Sequence, residues 1–293
     1  MILLTGATGT VGSALLRRLT ANGEAVRCLV RDPRRLGAER VRVQIALGDL
    51  AQPASFRNAL RGVDRVVHLA ASIRDQPGAS IEELNGVATM RLLQAAERAG
   101  VERFVFFSAL GANEHSRARF MRAKALAERA VLGSELDALV LAPSIVYAPG
   151  DPWLTLLRRF SYLPLLPVSG EGRALYQPIW AEDVASCVLA ALEREAAAGA
   201  ARRLELAGPE TLSYNAIAAK ALRSFGRPRR LLHVPLRLVR ASLTAARWVA
   251  GQSVFATWEE VELLELAMTS ARGTADVQAL GVSPLAMSAV LGR

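Results

Sequence analysis

The sequence predicts an α/β protein built on a doubly wound parallel sheet, and three observations carry that expectation. Short apolar, β-branched runs alternate with longer amphipathic segments through the first two thirds of the chain, which is the pattern of βαβ units. A glycine-rich turn, Thr5-Gly6-Ala7-Thr8-Gly9-Thr10-Val11-Gly12, joins the first such run to the first amphipathic segment. Gly23, Gly62, Gly100 and Gly133 fall at or just beyond the ends of amphipathic segments, where a left-handed cap residue is easiest for glycine.

Strands are expected near 1–5, 25–30, 42–46, 64–69, 102–107, 138–142 and 203–207. Helices are expected near 11–21, 53–61, 81–99, 118–133 and 181–193, each with apolar residues at three- and four-residue spacing. At Pro149-Gly150-Asp151-Pro152 the texture changes, and a stretch rich in Pro, Gly and Tyr leaves the sheet until Pro178. From Gly208 to Arg293 the period is mainly helical, with prolines 228, 235 and 284 at its joints.

Composition removes several function classes. With 52% hydrophobic and 22% charged residues the 293-residue chain is globular rather than disordered. Cys28 and Cys187, the two cysteines, are far apart and lie in apolar runs, so neither a disulfide framework nor a cysteine zinc site is expected. Three separated histidines without a local carboxylate cluster predict no metal. No secretory leader is seen at the N-terminus, and Pro, Gly or Arg interrupts every long apolar run; a cytoplasmic protein is expected. The net charge of +9 comes from scattered arginines without an aromatic-rich basic stripe, so nucleic acid is not the expected partner. Lys124 and Lys220 are the only lysines.

The glycine turn carries the strongest local signal. After the strand Ile2–Leu4, Gly6 permits a tight turn, Gly9 lets a pyrophosphate approach and Gly12 allows close helix–strand packing. The following helix N-terminus supplies amide donors to the phosphates. Residues 1–148, completed by about 179–207, are therefore expected to form a Rossmann-type NAD(P)-binding domain, with 149–178 and 208–293 forming a smaller, mainly helical substrate lobe. An acidic residue at the end of the second strand would hold the ribose of NAD, but Arg31 stands there, with Arg34 and Arg35 close behind. Guanidinium forks match a 2′-phosphate, which favours NADP(H) over NAD(H), while Asp32 either serves NAD or caps the loop. Asp49 in Gly48-Asp49-Leu50 either meets the adenine or caps the helix beginning near Pro53.

The Thr5–Gly12 turn, Gly48-Asp49-Leu50, His68-Leu69-Ala70-Ala71, Asn85 and the strand ending at Ser108 together resemble the short-chain dehydrogenase/reductase superfamily, in its extended and atypical, NAD-dependent epimerase/dehydratase-like branches. Arg31-Asp32-Pro33 resembles NmrA-like NAD(P)-binding proteins. Pro143-Ser144-Ile145-Val146-Tyr147, Gly150-Asp151 and Gln177-Pro178-Ile179-Trp180-Ala181-Glu182-Asp183-Val184-Ala185 resemble the nucleotide-binding accessory subunit of respiratory complex I and its bacterial relatives. The resemblance implies cofactor contacts by Thr5, Gly6, Thr8, Gly9, Thr10, Val11, Gly12, Arg31, Arg34, Asp49, Leu50, Ala70, Ala71, Lys124, Pro143 and Ile145. It also implies a catalytic serine at Ser108, and a tyrosine four residues before a lysine at Lys124. The tyrosine position is Phe120, which shares a helix face with Lys124 but has no proton to give.

Three readings follow for the chemistry. Hydride transfer survives with a proton from Lys124, water, Ser116, His115 or Tyr147; or the acceptor is quinone-like and collects its proton from solvent; or catalysis is lost and the chain is an NADP(H)-binding regulator or respiratory-complex assembly protein. A sugar-nucleotide epimerase or dehydratase is the last alternative, since Phe120 cannot be its base. Lys124 is expected on the cofactor ribose, or else paired on the surface with Glu128; His68 is expected as a satisfied core residue. Phe160, Tyr162 and Leu166 are candidate walls of an apolar acceptor pocket. The segment Leu236–Val249, with Leu236, Val239, Leu243 and Ala246 on one side and Arg237, Arg240 and Arg247 elsewhere, either packs on the lobe or lies on an anionic membrane surface, which would place the protein peripherally at the inner face.

Overall fold

A computed structural model describes residues 1–194, 202–250 and 257–292, without the side chains of 245–250. In chain order its elements are β1 Ile2–Thr5, α1 Thr10–Ala21, β2 Val26–Val30, β3 Gln44–Leu47, α2 Pro53–Phe56, β4 Arg65–His68, α3 Ala88–Arg98, β5 Arg103–Phe107, α4 Arg119–Leu132 and β6 Asp137–Pro143. They continue with β7 Val146–Tyr147, α5 Pro152–Phe160, β8 Leu165–Ser169, β9 Leu175–Tyr176, β10 Ile179–Trp180, α6 Ala181–Glu193 and β11 Arg203–Leu206. The last are β12 Leu212–Ser213, α7 Tyr214–Ser224, β13 Arg230–Val234, α8 Leu236–Ala250, α9 Trp258–Leu263, α10 Ala275–Ala279 and α11 Met287–Leu291. Short 3₁₀ segments span Pro33–Arg42 and Arg57–Leu60, and a π-turn, Glu83–Val87, leads into α3.

Seven strands form one parallel sheet in the order β11-β6-β5-β4-β1-β2-β3, the doubly wound arrangement the sequence predicts. The order reverses between β1 and β4, which opens a crevice at their carboxyl ends. Both faces are covered: Ile2 and Leu4 pack with α1 and α6 on one side, and Leu3 packs with α3 and α4 on the other. Near-continuous burial along β1 and β6 is what a sheet sandwiched between helix layers requires. Arg17 and Arg18 of α1 both reach Glu182 of α6, at 2.7 and 3.0 Å, tying the helices of one layer together.

A third cluster lies beside the sheet, built from Tyr147, Leu154, Leu157, Leu166, Val168, Tyr176, α7 and Met287. Asp151 caps α5 by accepting from Leu154 N at 2.6 Å, and Ser213 caps α7 from Ala216 N, so both helices start where their capping side chains dictate. Two expectations fail here. Leu166 and Phe160 pack into this cluster and Tyr162 is 65% exposed beneath Arg227, so the three do not form a pocket wall; alternation along β8 turns Leu166 inward. And 230–234, in a stretch expected to be mainly helical, is β13, paired in parallel with β8. Of the α8 pattern, Leu243 is buried and Leu236 and Val239 are half-buried; Ala246 and Arg247 lie outside the described side chains.

Candidate functional site

At the crevice the glycine turn has no room for a side chain at Gly6 or Gly12. Gly6 has φ +74°, and a Cβ there would stand 2.6 Å from Ala70 N; one on Gly12 would stand 2.0 Å from Gly6 O. Gly9 is the N-cap of α1, and no side chain caps that terminus, which leaves first-turn amides for an anion. The close backbone of the turn and the uncapped amides of α1 suit the pyrophosphate of a dinucleotide.

At the end of β2, Arg31, Arg34 and Arg35 are exposed. Asp32 is turned into its own loop, where its carboxylate accepts from Arg34 N at 3.0 Å and Pro33 opens the 3₁₀ segment. The loop cap that the sequence allows for Asp32 is therefore present. Asp49 likewise accepts from Ala51 N at 3.0 Å, closing the turn before α2, with half-buried Leu50 beside it.

Beneath the cradle, hydrogen bonds run in one direction. Thr89 donates its hydroxyl to Asn85 O at 2.7 Å, so its oxygen accepts from His68 Nε2–H at 2.9 Å. Nδ1 is then the acceptor, taking the Thr5 hydroxyl proton at 2.7 Å, while Ala70 N–H approaches Thr5 Oγ1 at 3.4 Å. His68 is a fully buried, satisfied core residue; burial, with the Lys124 charge, holds it down to about 3. Asn85, on the π-turn, accepts from Ser72 N and donates to Ser72 O and Ile81 O, fixing the loop that carries Ala70 and Ala71.

Lys124 is not a surface lysine. Its Nζ is buried, donates to Phe107 O at 2.6 Å and stands 4.9 Å from the Phe106 ring and 5.7 Å from the Phe120 ring. Burial pushes it down to about 7, against the partial support of Glu128. Glu128 is engaged elsewhere: Arg203 of β11 pairs with it, and Ser108 donates its hydroxyl to it at 2.7 Å. The Ser108 hydroxyl is therefore held by the buried carboxylate of a half-buried ion pair. Leu110 N donates to Pro143 O, and half-buried Ile145 follows two residues later.

The surroundings of Phe120 are apolar. Ala109, Ala118 and Met121 are buried, and Phe120, Leu263, Leu266 and Met268 pack against them. Neither Ala109 nor residues 257–268 stood out in the sequence, because nothing in an alanine or a leucine marks it as lining a site until the chain returns over it. That return is fastened from both sides: Arg74 pairs with Glu260, Arg119 joins Asp75 and Glu82 and approaches Glu259 at 3.8 Å, and Ser144 donates to Met268 O at 2.6 Å. Among the alternative proton donors, His115 is exposed, Ser116 caps the approach to α4 by accepting from Ala118 N, and Tyr147 is buried in the third cluster, where desolvation and the charges of Asp183 and Glu210 raise its pKa. Among the described residues no His/Cys/Asp/Glu group could hold a metal, and no helix is long and apolar enough to cross a membrane.

Comparisons with known proteins bear on the family and the fold. A mitochondrial NADH dehydrogenase [ubiquinone] 1 alpha subcomplex subunit 9 from Arabidopsis thaliana is 30% identical over 73% of this chain and 55% of its own length. A ceramide reductase from Caulobacter vibrioides is 31% identical over 65% of this chain and 60% of its own, so the chain spans little more than half the length of these relatives. Among solved structures, UDP-glucose 4-epimerase of Thermus thermophilus in complex with NAD superposes with a TM-score of 0.74 over 99% of this chain and 96% of its own, at 18% identity, which shows a shared fold. The model of the NAD(P)H-binding family matches residues 6–195, the span that holds the glycine cradle, Asn85, Phe120 and Lys124, and the chain belongs to that family.

Proposed function

We propose that the protein is an NADP(H)-preferring oxidoreductase that reduces an apolar, quinone-like acceptor without a positioned tyrosine acid. The observation that carries the reading is the apolar packing around Phe120, made by Ala109, Ala118, Met121, Leu263, Leu266 and Met268, which puts no proton donor at the tyrosine position. Two relatives point the same way by name, one a reductase of ceramide and one a subunit of a ubiquinone-linked dehydrogenase.

A nicotinamide bound here would supply a hydride. The amides opening α1 would hold the pyrophosphate, and Arg31 with Arg34 would take the 2′-phosphate, since both are exposed and Asp32 is occupied by its loop. Lys124, close to neutrality in its buried setting, orients the ring-binding side of the cleft from below Phe120. The apolar wall excludes water from the acceptor, and an acceptor that leaves as a stabilised anion collects its proton outside.

A second reading, a non-catalytic NADP(H)-binding regulator or assembly protein, is favoured by the Ser108 and Lys124 side chains both being bound to protein acceptors. Titration of the purified protein with NADPH and NADH, followed by turnover with soluble quinones, separates the two. NADPH preference that falls about tenfold or more in Arg31→Ala, with quinone reduction, is the expected result. Binding without turnover on any quinone or lipid carbonyl would favour the regulator, and Phe120→Tyr gaining carbonyl reduction would show that the cleft keeps a catalytic geometry.

A further inference from the structure

The positive charge of this protein is concentrated in two stretches. Between 211 and 258 lie eight of its 36 basic residues and none of its 27 acidic ones, and 152–170 adds Arg158 and Arg159, again with no acid. The rest of the chain carries 26 basic and 27 acidic residues, so these stretches account for the whole excess. None of their arginines with a described side chain has a carboxylate partner; Arg229 is spent on the Ser161 and Leu163 carbonyls and Arg227 stacks 3.8 Å over Tyr162.

The same surface exposes large apolar groups. Tyr162, Leu163, Leu165, Leu232 and Leu238 are 40–65% exposed, five of the eleven large apolar side chains that the described residues leave in solvent. The β8–β13 register brings two of them, Leu165 and Leu232, to one face: Leu165 lies opposite Arg230 and Pro167 opposite Leu232, away from buried Leu166 and Val168. Arg229 ties Leu163 to this ribbon, and α8 continues from it with exposed Arg237 and Leu238, while Leu243 packs inward.

We propose that this face docks on an anionic lipid bilayer. Leucine and tyrosine tips enter the headgroup boundary while arginines remain at phosphate level, the division a bilayer surface imposes. An acidic protein partner would satisfy the cations but would not call for unpaired leucines standing among them. The inference is independent of turnover.

The test is flotation of the full chain with vesicles of phosphatidylcholine alone, or with about a third phosphatidylglycerol, at low and at high salt. Binding to the anionic vesicles only is expected, weakening with salt. The double variant Arg230→Glu/Arg237→Glu should weaken partitioning by about 25-fold or more, at about fivefold per arginine, and Leu232→Gln/Leu238→Gln should remove the part that persists at high salt. NADPH titration checks that each variant is folded. No flotation with anionic vesicles, or flotation unchanged in the charge-reversal variant, would overturn the proposal. So would capture on poly-glutamate as strong as on the vesicles and indifferent to the leucine changes, which would assign the face to an acidic protein.

Discussion

Each hydroxyl between Thr5 and Asn85 has one proton and one accepting task, so the His68 tautomer is decided by its neighbours rather than by its own pKa. His68 titrates at about 3 in the fold against roughly 6.5 unfolded. The unfolded chain thus binds the extra proton first, and the stability contributed by neutral His68 is lost as pH falls from about 6.5 to 3. We expect ¹⁵N spectra to show a singly protonated Nε2–H ring throughout that window; a doubly protonated ring at pH 5 would refute the arrangement. Lys124 has the same sign at higher pH: with a folded value of about 7 and an unfolded one near 10.4, its burial costs stability progressively as pH falls from about 10 to 7. Lys124→Met should therefore be more favourable, relative to the parent chain, at pH 6 than at pH 10, which urea unfolding at the two pH values will measure.

At the level of elements, the glycine turn gives a graded prediction. A methyl on Gly12 meets Gly6 O at 2.0 Å, whereas one on Gly9 meets the same oxygen at 3.3 Å. Gly12→Ala should lose about 2 kcal/mol or more of stability together with dinucleotide binding; Gly9→Ala should keep the fold and weaken binding only. Equal loss of stability in both would contradict the geometry. This turn was legible because its demands are local, and so were β1 to β6 and their helices, whose periods survive in short windows. The β8–β13 pair was not: Leu231-Leu232-His233-Val234 between two prolines reads as readily as helix, and its partner lies more than sixty residues earlier. For the same reason Glu128 suggested Lys124, one helical turn away, when its partner is Arg203 from the far edge of the sheet. The apolar packing around Phe120 was hidden too, since Leu263, Leu266 and Met268 carry no motif and matter only through where the chain returns.

For the whole molecule, the segment 257–268 is held over the cleft by ion pairs that are partly exposed, each worth about 0–1 kcal/mol. It should open more easily than the sheet beneath it. Arg74→Ala/Arg119→Ala is expected to speed amide exchange in 257–268 and in the 72–82 loop while leaving β1, β4 and β5 protected; uniform acceleration would mean that the cover and the sheet open as one. The strand order has a further consequence during synthesis. β6 is buried on both faces yet its outer edge is paired only by β11, whose first residue, Arg203, follows Pro143 by some sixty positions. At about 5–20 residues per second, a nascent chain carries that apolar edge open for several seconds, until the polypeptide that builds the neighbouring lobe has passed and the last strand arrives to close it.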